Sequence, residues 1–159
     1  WKMTYTDHHW EEIKIPHTWN AVDGANGTEY YQGACWYRRE FTLDPVLKGK
    51  RIFIEFHGSN SITDVYVNEQ YTGQHRGGYS LFRFDITDAV RFGERNILSV
   101  KVDNTIVDDV YPQKADFTFF GGIYRDVNII AVHPVHIDLR DYGSSGVYII
   151  QEEVNKERA

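Results

Sequence analysis

The sequence predicts an all-β fold, an antiparallel β-sandwich. Apolar residues recur at every second position, clusters of turn residues separate the runs, and no amphipathic helix of more than about 12 residues is present to cross between parallel neighbours. Short strands at this spacing close best as two packed antiparallel sheets.

Taken in order, residues 35–43 form the first strand candidate, with Cys35 read as a small core residue between Ala34 and Trp36. Ile52, Ile54 and Phe56 then alternate with Arg51, Phe53 and Glu55, the period of a half-buried strand. Residues 63–68 and 71–75 flank Val67-Asn68-Glu69-Gln70-Tyr71, which reads as a tight hairpin in which Glu69 must bear the steric cost of positive φ. Phe82, Phe84 and Ile86 alternate with Arg83 and Asp85. From Asp85 to Gly93, capping residues open one helical turn that Gly93 can close in a left-handed conformation, plugging one end of the sandwich. Leu98, Val100 and Val102 alternate with Ser99, Lys101 and Asp103. Residues 123–132, 136–139 and 147–151 complete the strand candidates, rich in Val, Ile and Tyr. Asp141-Tyr142-Gly143-Ser144-Ser145-Gly146 reads as a flexible stretch. The expected organisation is a sandwich over residues 1–140, followed over 141–159 by a linker and the first part of another domain.

A chain of 159 residues can bury one core of ordinary size without disulfide or metal support. Lys plus Arg number 17 against 23 Asp plus Glu, for a formal charge of −6, so the basic stripe that phosphate binding needs is missing and nucleic acid is not an expected partner. The longest apolar runs are a few residues, too short to span a membrane, and no basic-then-apolar leader precedes Trp1, so the chain is expected to be cut from something longer. A single cysteine forms no internal disulfide and leaves the compartment open.

Paired-carboxylate chemistry depends on geometry, and Glu55, Asp64, Asp103 and Asp126 fall at the outward phase of their strands, where they read as solvated surface groups. No catalytic pair is assigned. The seven histidines show no metal-ligand spacing, and cysteine ligands are missing. Gly77-Gly78 and Gly121-Gly122 suit turns better than a phosphate loop. Asp116 stands out, in the aromatic, non-alternating run Lys114-Ala115-Asp116-Phe117-Thr118-Phe119-Phe120. Two readings are open: exposed rings and a carboxylate that meet a sugar's apolar face and hydroxyls, or rings that pack beneath the loop while Asp116 caps a turn.

A resemblance bears on that choice. Ile15-Pro16-His17-Thr18-Trp19-Asn20, Tyr30-Tyr31-Gln32-Gly33, Trp36-Tyr37-Arg38-Arg39-Glu40-Phe41, Val65-Tyr66-Val67-Asn68, His75-Arg76-Gly77-Gly78-Tyr79, Phe84-Asp85-Ile86-Thr87, Asn96-Ile97-Leu98-Ser99-Val100 and Gly121-Gly122-Ile123-Tyr124-Arg125-Asp126-Val127 resemble, in order, the sugar-binding domain of glycoside hydrolase family 2. The likeness is greatest to β-galactosidases. It implies a jelly-roll sandwich that precedes an immunoglobulin-like domain and a (β/α)8 barrel. The barrel carries both catalytic glutamates, so this segment alone is expected to be inactive. The resemblance also places Asp116, six residues before Gly122, where related enzymes carry an aspartate that helps hold sugar hydroxyls or a sodium ion. It thus implies a β-galactoside or related glycan as ligand of the intact enzyme, no cofactor in this segment, a sodium or magnesium ion in the parent, and a periplasmic or secreted setting. The loop from Trp19 to Tyr30 is compact, so no sugar contact is assigned to Asn20 or Asn26. A domain of a β-glucuronidase or β-mannosidase, an autonomous carbohydrate-binding module built on Tyr79, Tyr111 or Phe117, and a purely structural interaction domain are the competing readings.

Overall fold

The computed structural model describes residues 10–26, 29–112, 115 and 117–156. Among the described residues seven strands form two antiparallel sheets: β1 (Ala34–Thr42), β2 (Arg51–Phe56), β3 (Ile62–Val67), β4 (Gln70–Arg76), β5 (Phe82–Asp85), β6 (Arg95–Asp103) and β7 (Val127–Val132). One sheet runs β1-β6-β3-β4 and the other β5-β2-β7. This is the all-β sandwich that the alternation predicts. No helix among the described residues is long and apolar enough to cross a membrane.

The core lies between the sheets. Ile52, Ile54 and Phe56 of β2, Val65 and Val67 of β3, Val100 and Val102 of β6, and Phe82 of β5 point inward and are almost wholly buried. Along one side the sheets are joined by ring stacking: His75 of β4 lies 4.0 Å from Phe82, whose ring also stacks on Phe56 at 4.9 Å. On the other side, between β1 and β7, the described residues leave an apolar groove of about 1180 Å³ lined by Phe41, Ile54, Leu98 and Val127, with Trp10 to Ile15 along its rim.

Local chemistry explains the turns. Asn68 and Glu69 both take positive φ, +50° and +69°, as a primed hairpin turn requires. The Asn68 carboxamide offsets that strain, donating to the Ala89 carbonyl and to Asn96 Oδ1, each at 2.8 Å, and accepting from the Ile97 amide at 3.0 Å. The single helical turn after β5 also forms. Asp85 Oδ1 accepts from the Thr87 amide and hydroxyl, the Ile86 carbonyl accepts from the Ala89 amide, and Gly93 at φ +74° donates to the Leu43 carbonyl.

Several expectations need correction. Residues 123–132 yield a strand only from Val127, because Gly122 and Ile123 turn toward residues 17 and 60. Residues 136–139 and 147–151 form no strand; the first run folds back over β2 and β5, and the second pairs with no strand among the described residues, its Tyr148 hydroxyl donating to Asp141 Oδ2 of the preceding turn. The stretch 141–146 is a hydrogen-bonded turn, with the Ser144 amide donating to the Asp141 carbonyl and the Gly146 amide to Ser144 Oγ. That fold-back explains the largest error of phase: Phe53 and Glu55, read as outward, are only 1% and 7% exposed. β2 is the central strand of its sheet, and the strap 133–146 covers its outer face.

Two predictions follow from this packing. Ile52→Ala, which opens a cavity between the sheets, is expected to cost about 2 to 5 kcal/mol in urea-induced unfolding. The second concerns acid. Burial opposes the charge of Glu55 and of Asp85, but Arg83 and His57 hold the first, and Thr87 and Arg51 hold the second, below the ordinary carboxylate range. A depressed folded pKa means stability that is present at neutral pH and lost as pH falls below the unfolded value of about 4. The urea midpoint is therefore expected to drop between pH 5 and pH 3 on the order of ordinary carboxylate titration, and Asp85→Asn should flatten that drop.

Candidate functional site

Strands β1, β3, β5 and β7 begin, and β2, β4 and β6 end, at one end of the sandwich. The connections 17–33, 57–61, 77–81 and 104–126 therefore gather there. Each leaves a sheet and loses its ladder partners, so its backbone groups must find others.

Asparagine side chains supply them. Asn20 is completely buried; its Oδ1 accepts from the Gly121 amide at 2.8 Å and from Asn104 Nδ2 at 3.2 Å, while its Nδ2 donates to the Tyr31 carbonyl at 3.0 Å and to Asp23. Asn104, the residue after β6, accepts from the Gly33 amide at 2.9 Å. Asn60, just before β3, exchanges backbone hydrogen bonds with Gly122 and donates from Nδ2 to the Phe120 carbonyl at 2.9 Å. Thr18 Oγ1 donates to the Gly121 carbonyl at 2.7 Å. Asp23 closes the network. It accepts from the Tyr31 and Gly24 amides, and these bonds, the Tyr31 one foremost, hold its carboxyl below the usual range.

The glycine pair fits by size as well as by conformation. At Gly122, φ is +135° and a Cβ would sit 2.4 Å from the His17 carbonyl oxygen and 2.9 Å from the Tyr37 hydroxyl. Burial pushes that hydroxyl up to about 12, so it stays protonated beside His17 Nδ1, 2.9 Å away.

Asp116 lies outside the described residues. Both feet of its loop are nevertheless tied down, one at Asn104 and the other at Phe120 to Gly122. Between them the loop shows aromatic surface: Phe117 is exposed, with its ring 4.9 Å from that of Phe119, and Tyr111 is 74% exposed, while Tyr79 of the 77–81 connection is 53% exposed. Tyr30, Tyr79, Tyr111 and Phe119 edge a shallow depression of about 30 Å³ floored by Asn60 and Asn104, room for a water molecule rather than a sugar ring. Of the rings proposed as a carbohydrate platform, Tyr79 and Tyr111 share this depression and Phe117 does not. Asp64 and Asp103 are half-buried on the larger sheet and Asp126 is exposed, while Glu55 lies on the smaller sheet against Arg83. Among the described residues no group of three His, Cys, Asp or Glu side chains gathers to hold a metal ion. Chemically, this end can present rings and hydroxyl-binding groups on a fixed frame.

The family model for the sugar-binding domain of glycosyl hydrolases family 2 matches residues 1–134. The chain belongs to that family. Among curated relatives of this family 2 domain, a beta-glucuronidase of Bacteroides fragilis is 44% identical over 148 residues, 92% of this chain and 21% of that protein. A beta-galactosidase of Thermoanaerobacter pseudethanolicus is 34% identical over 148 residues, 86% of this chain and 19% of that protein. The crystal structure of a Bacteroides uniformis beta-glucuronidase superposes with a TM-score of 0.85 at 40% identity, covering 90% of this chain and 17% of that one. The chain thus spans about a fifth of the length of these curated relatives. Relatives of both names match and the 44% identical one is a beta-glucuronidase, so the likeness is to family 2 enzymes of both names and not to β-galactosidases in particular.

The asparagines at the strand ends carry the geometry of this site, and a reading by residue type passed over them. The one signal was positional: Asn20 closes the Ile15 to Asn20 motif, and Asn60 and Asn104 stand where an alternating run stops. Asn20→Ala is expected to leave the Gly121 amide without its partner and Asn104 Nδ2 with the Tyr31 carbonyl alone, at about 1 to 3 kcal/mol for the orphaned amide. Urea unfolding measures the cost, and faster amide exchange at Gly121 locates it.

Proposed function

We propose that this family 2 domain is the non-catalytic N-terminal part of a glycoside hydrolase, and that its 104–126 loop reaches the sugar pocket of the catalytic domain with Asp116 as the substrate contact. The observation that supports this most is the anchoring of both ends of that loop by buried carboxamides, which an incidental surface loop does not need. A carboxylate that accepts sugar hydroxyls orients the ring, and charged hydrogen bonds of that kind contribute about 1.5 to 3 kcal/mol where water is excluded. The residues from 141 onward are read as the passage into the next domain, of immunoglobulin type, with a barrel beyond it.

For the substrate, the 44% identical relative favours a β-glucuronide, and the 34% identical relative favours a β-galactoside as the second reading. In the intact protein, assays with nitrophenyl β-glucuronide and β-galactoside separate the two. Asp116→Ala is expected to lower kcat/KM on the preferred substrate by tenfold or more, the equivalent of losing one such bond of about 1.5 kcal/mol. The 159-residue chain by itself should hydrolyse neither. An unchanged kcat/KM in the Asp116→Ala enzyme rejects the contact and leaves the domain a structural support.

A further inference from the structure

On the outer face of the three-stranded sheet, Glu55 has Arg83 of β5 directly across on one side and Asn128 of β7 on the other. Arg83 Nε donates to Glu55 Oε2 at 2.6 Å, and His57 Nε2 lies 2.7 Å from Glu55 Oε1 and 3.2 Å from Asn128 Nδ2. The Glu55 and Arg83 side chains are only 9% and 12% exposed. A buried ion pair gives little stability for its own sake, because desolvation consumes most of the attraction. What sets this one apart is the rest of the guanidinium: Nη1 donates to the carbonyls of both Leu139 and Ser144, each at 3.0 Å. The planar fork joins a sheet carboxylate to two backbone carbonyls of the strap, a geometry that lysine's point charge does not reproduce.

Two contacts away from the ion pair act in the same direction. His136 meets the buried Phe53 ring edge to face at 5.6 Å. Gly143, at φ +71°, lies so close to β5's approach that a Cβ there would stand 2.3 Å from the Leu81 carbonyl oxygen. The strap sits flush on the sheet because residue 143 has no side chain.

We propose that Arg83, with Glu55 behind it, is a clasp that holds residues 136–146 in one position and so sets where the chain leaves the sandwich. Segment 141–146 then works as a rigid exit and not as a tether. Whatever follows Gly146 starts from a fixed point and direction, which is what the 104–126 loop needs if it is to meet a pocket in another domain. That last consequence rests on the functional reading above; the clasp does not.

Amide hydrogen exchange on the 159-residue chain tests it. Wild-type protein should protect the Tyr142 and Ser144 amides, which donate to the carbonyls of Arg140 and Asp141. Arg83→Lys, which keeps the charge opposite Glu55 but loses the fork, should speed exchange at both by about tenfold or more, with the Val100 and Val102 amides of β6 unchanged, as expected for local opening. If Arg83→Lys weakens the whole domain, so that β6 exchanges faster too, Gly143→Ala decides: it leaves the ion pair intact and should release the strap alone. Unprotected Tyr142 and Ser144 amides in the wild type, or unchanged protection in Gly143→Ala, overturns the clasp. Failure of the intact protein to cleave any glycoside would instead sink the functional reading and leave these exchange results standing.

Discussion

Both ends of this sandwich are closed by asparagine carboxamides, all buried except the half-buried Asn68, and the positions of the loops depend on them. A strand can pair its backbone only as far as its neighbours extend; beyond that each amide and carbonyl needs water or a side chain. Asparagine offers two donors and two acceptor lone pairs on a short stem, so one buried side chain can serve several backbone groups at once. At one end Asn68 and Asn96 do this for the β3–β4 turn and for Arg91 and Glu94. At the other, Asn20, Asn60 and Asn104 do it for residues 31, 33, 120 and 121. The first set fixes a turn within the sheet. The second joins three loops distant in sequence into one platform, and it is the platform that carries the aromatic residues and the Asp116 loop.

The sheet that holds this platform has its own requirement. β2 lies at the centre of three strands, so both of its faces must be covered. The inner face meets ordinary apolar partners, but the outer one carries Phe53 and Glu55 and is covered by chain that has already finished its strands. Covering a carboxylate with irregular backbone works only if the carbonyls above it also find donors. Arg83 meets both demands with one side chain, which makes the outer face of β2, the burial of Glu55 and the path of residues 136–146 consequences of one interaction.

Much of the fold was legible because alternation reports burial directly: strands β2, β5 and β6, the primed turn at Asn68-Glu69 and the capped turn after Asp85 all follow from local pattern. The errors share a cause. Period two tells which residues face opposite ways, but not whether the second face meets water, and for Phe53 and Glu55 it meets the strap. Residues 136–139 and 147–151 are β-branched and alternating enough to pair, yet pairing needs a neighbour at a free edge, a non-local fact. At the other end, motif order singled out the 104–126 loop, while the buried asparagines that hold its two feet were invisible, since a polar residue in a loop reads as solvated until the chain is seen to close over it.

A domain without an acid–base pair can still govern a reaction, because catalysis is sensitive to misplacement of a single contact by about 1 Å. A side chain at the tip of a long loop transmits every uncertainty of its base. Here the base is held at one end of the sandwich by buried carboxamides, and residues 136–146 are held on the outer face of the smaller sheet by a guanidinium bonded to a carboxylate and two carbonyls. The two anchors share β2: Glu55 belongs to it, and Asn60 follows it by four residues. On the proposed reading, the contribution of such a domain to turnover would lie in this stiffness, and it is to be sought in the rate at which correctly bound substrate reacts more than in how tightly sugar is held.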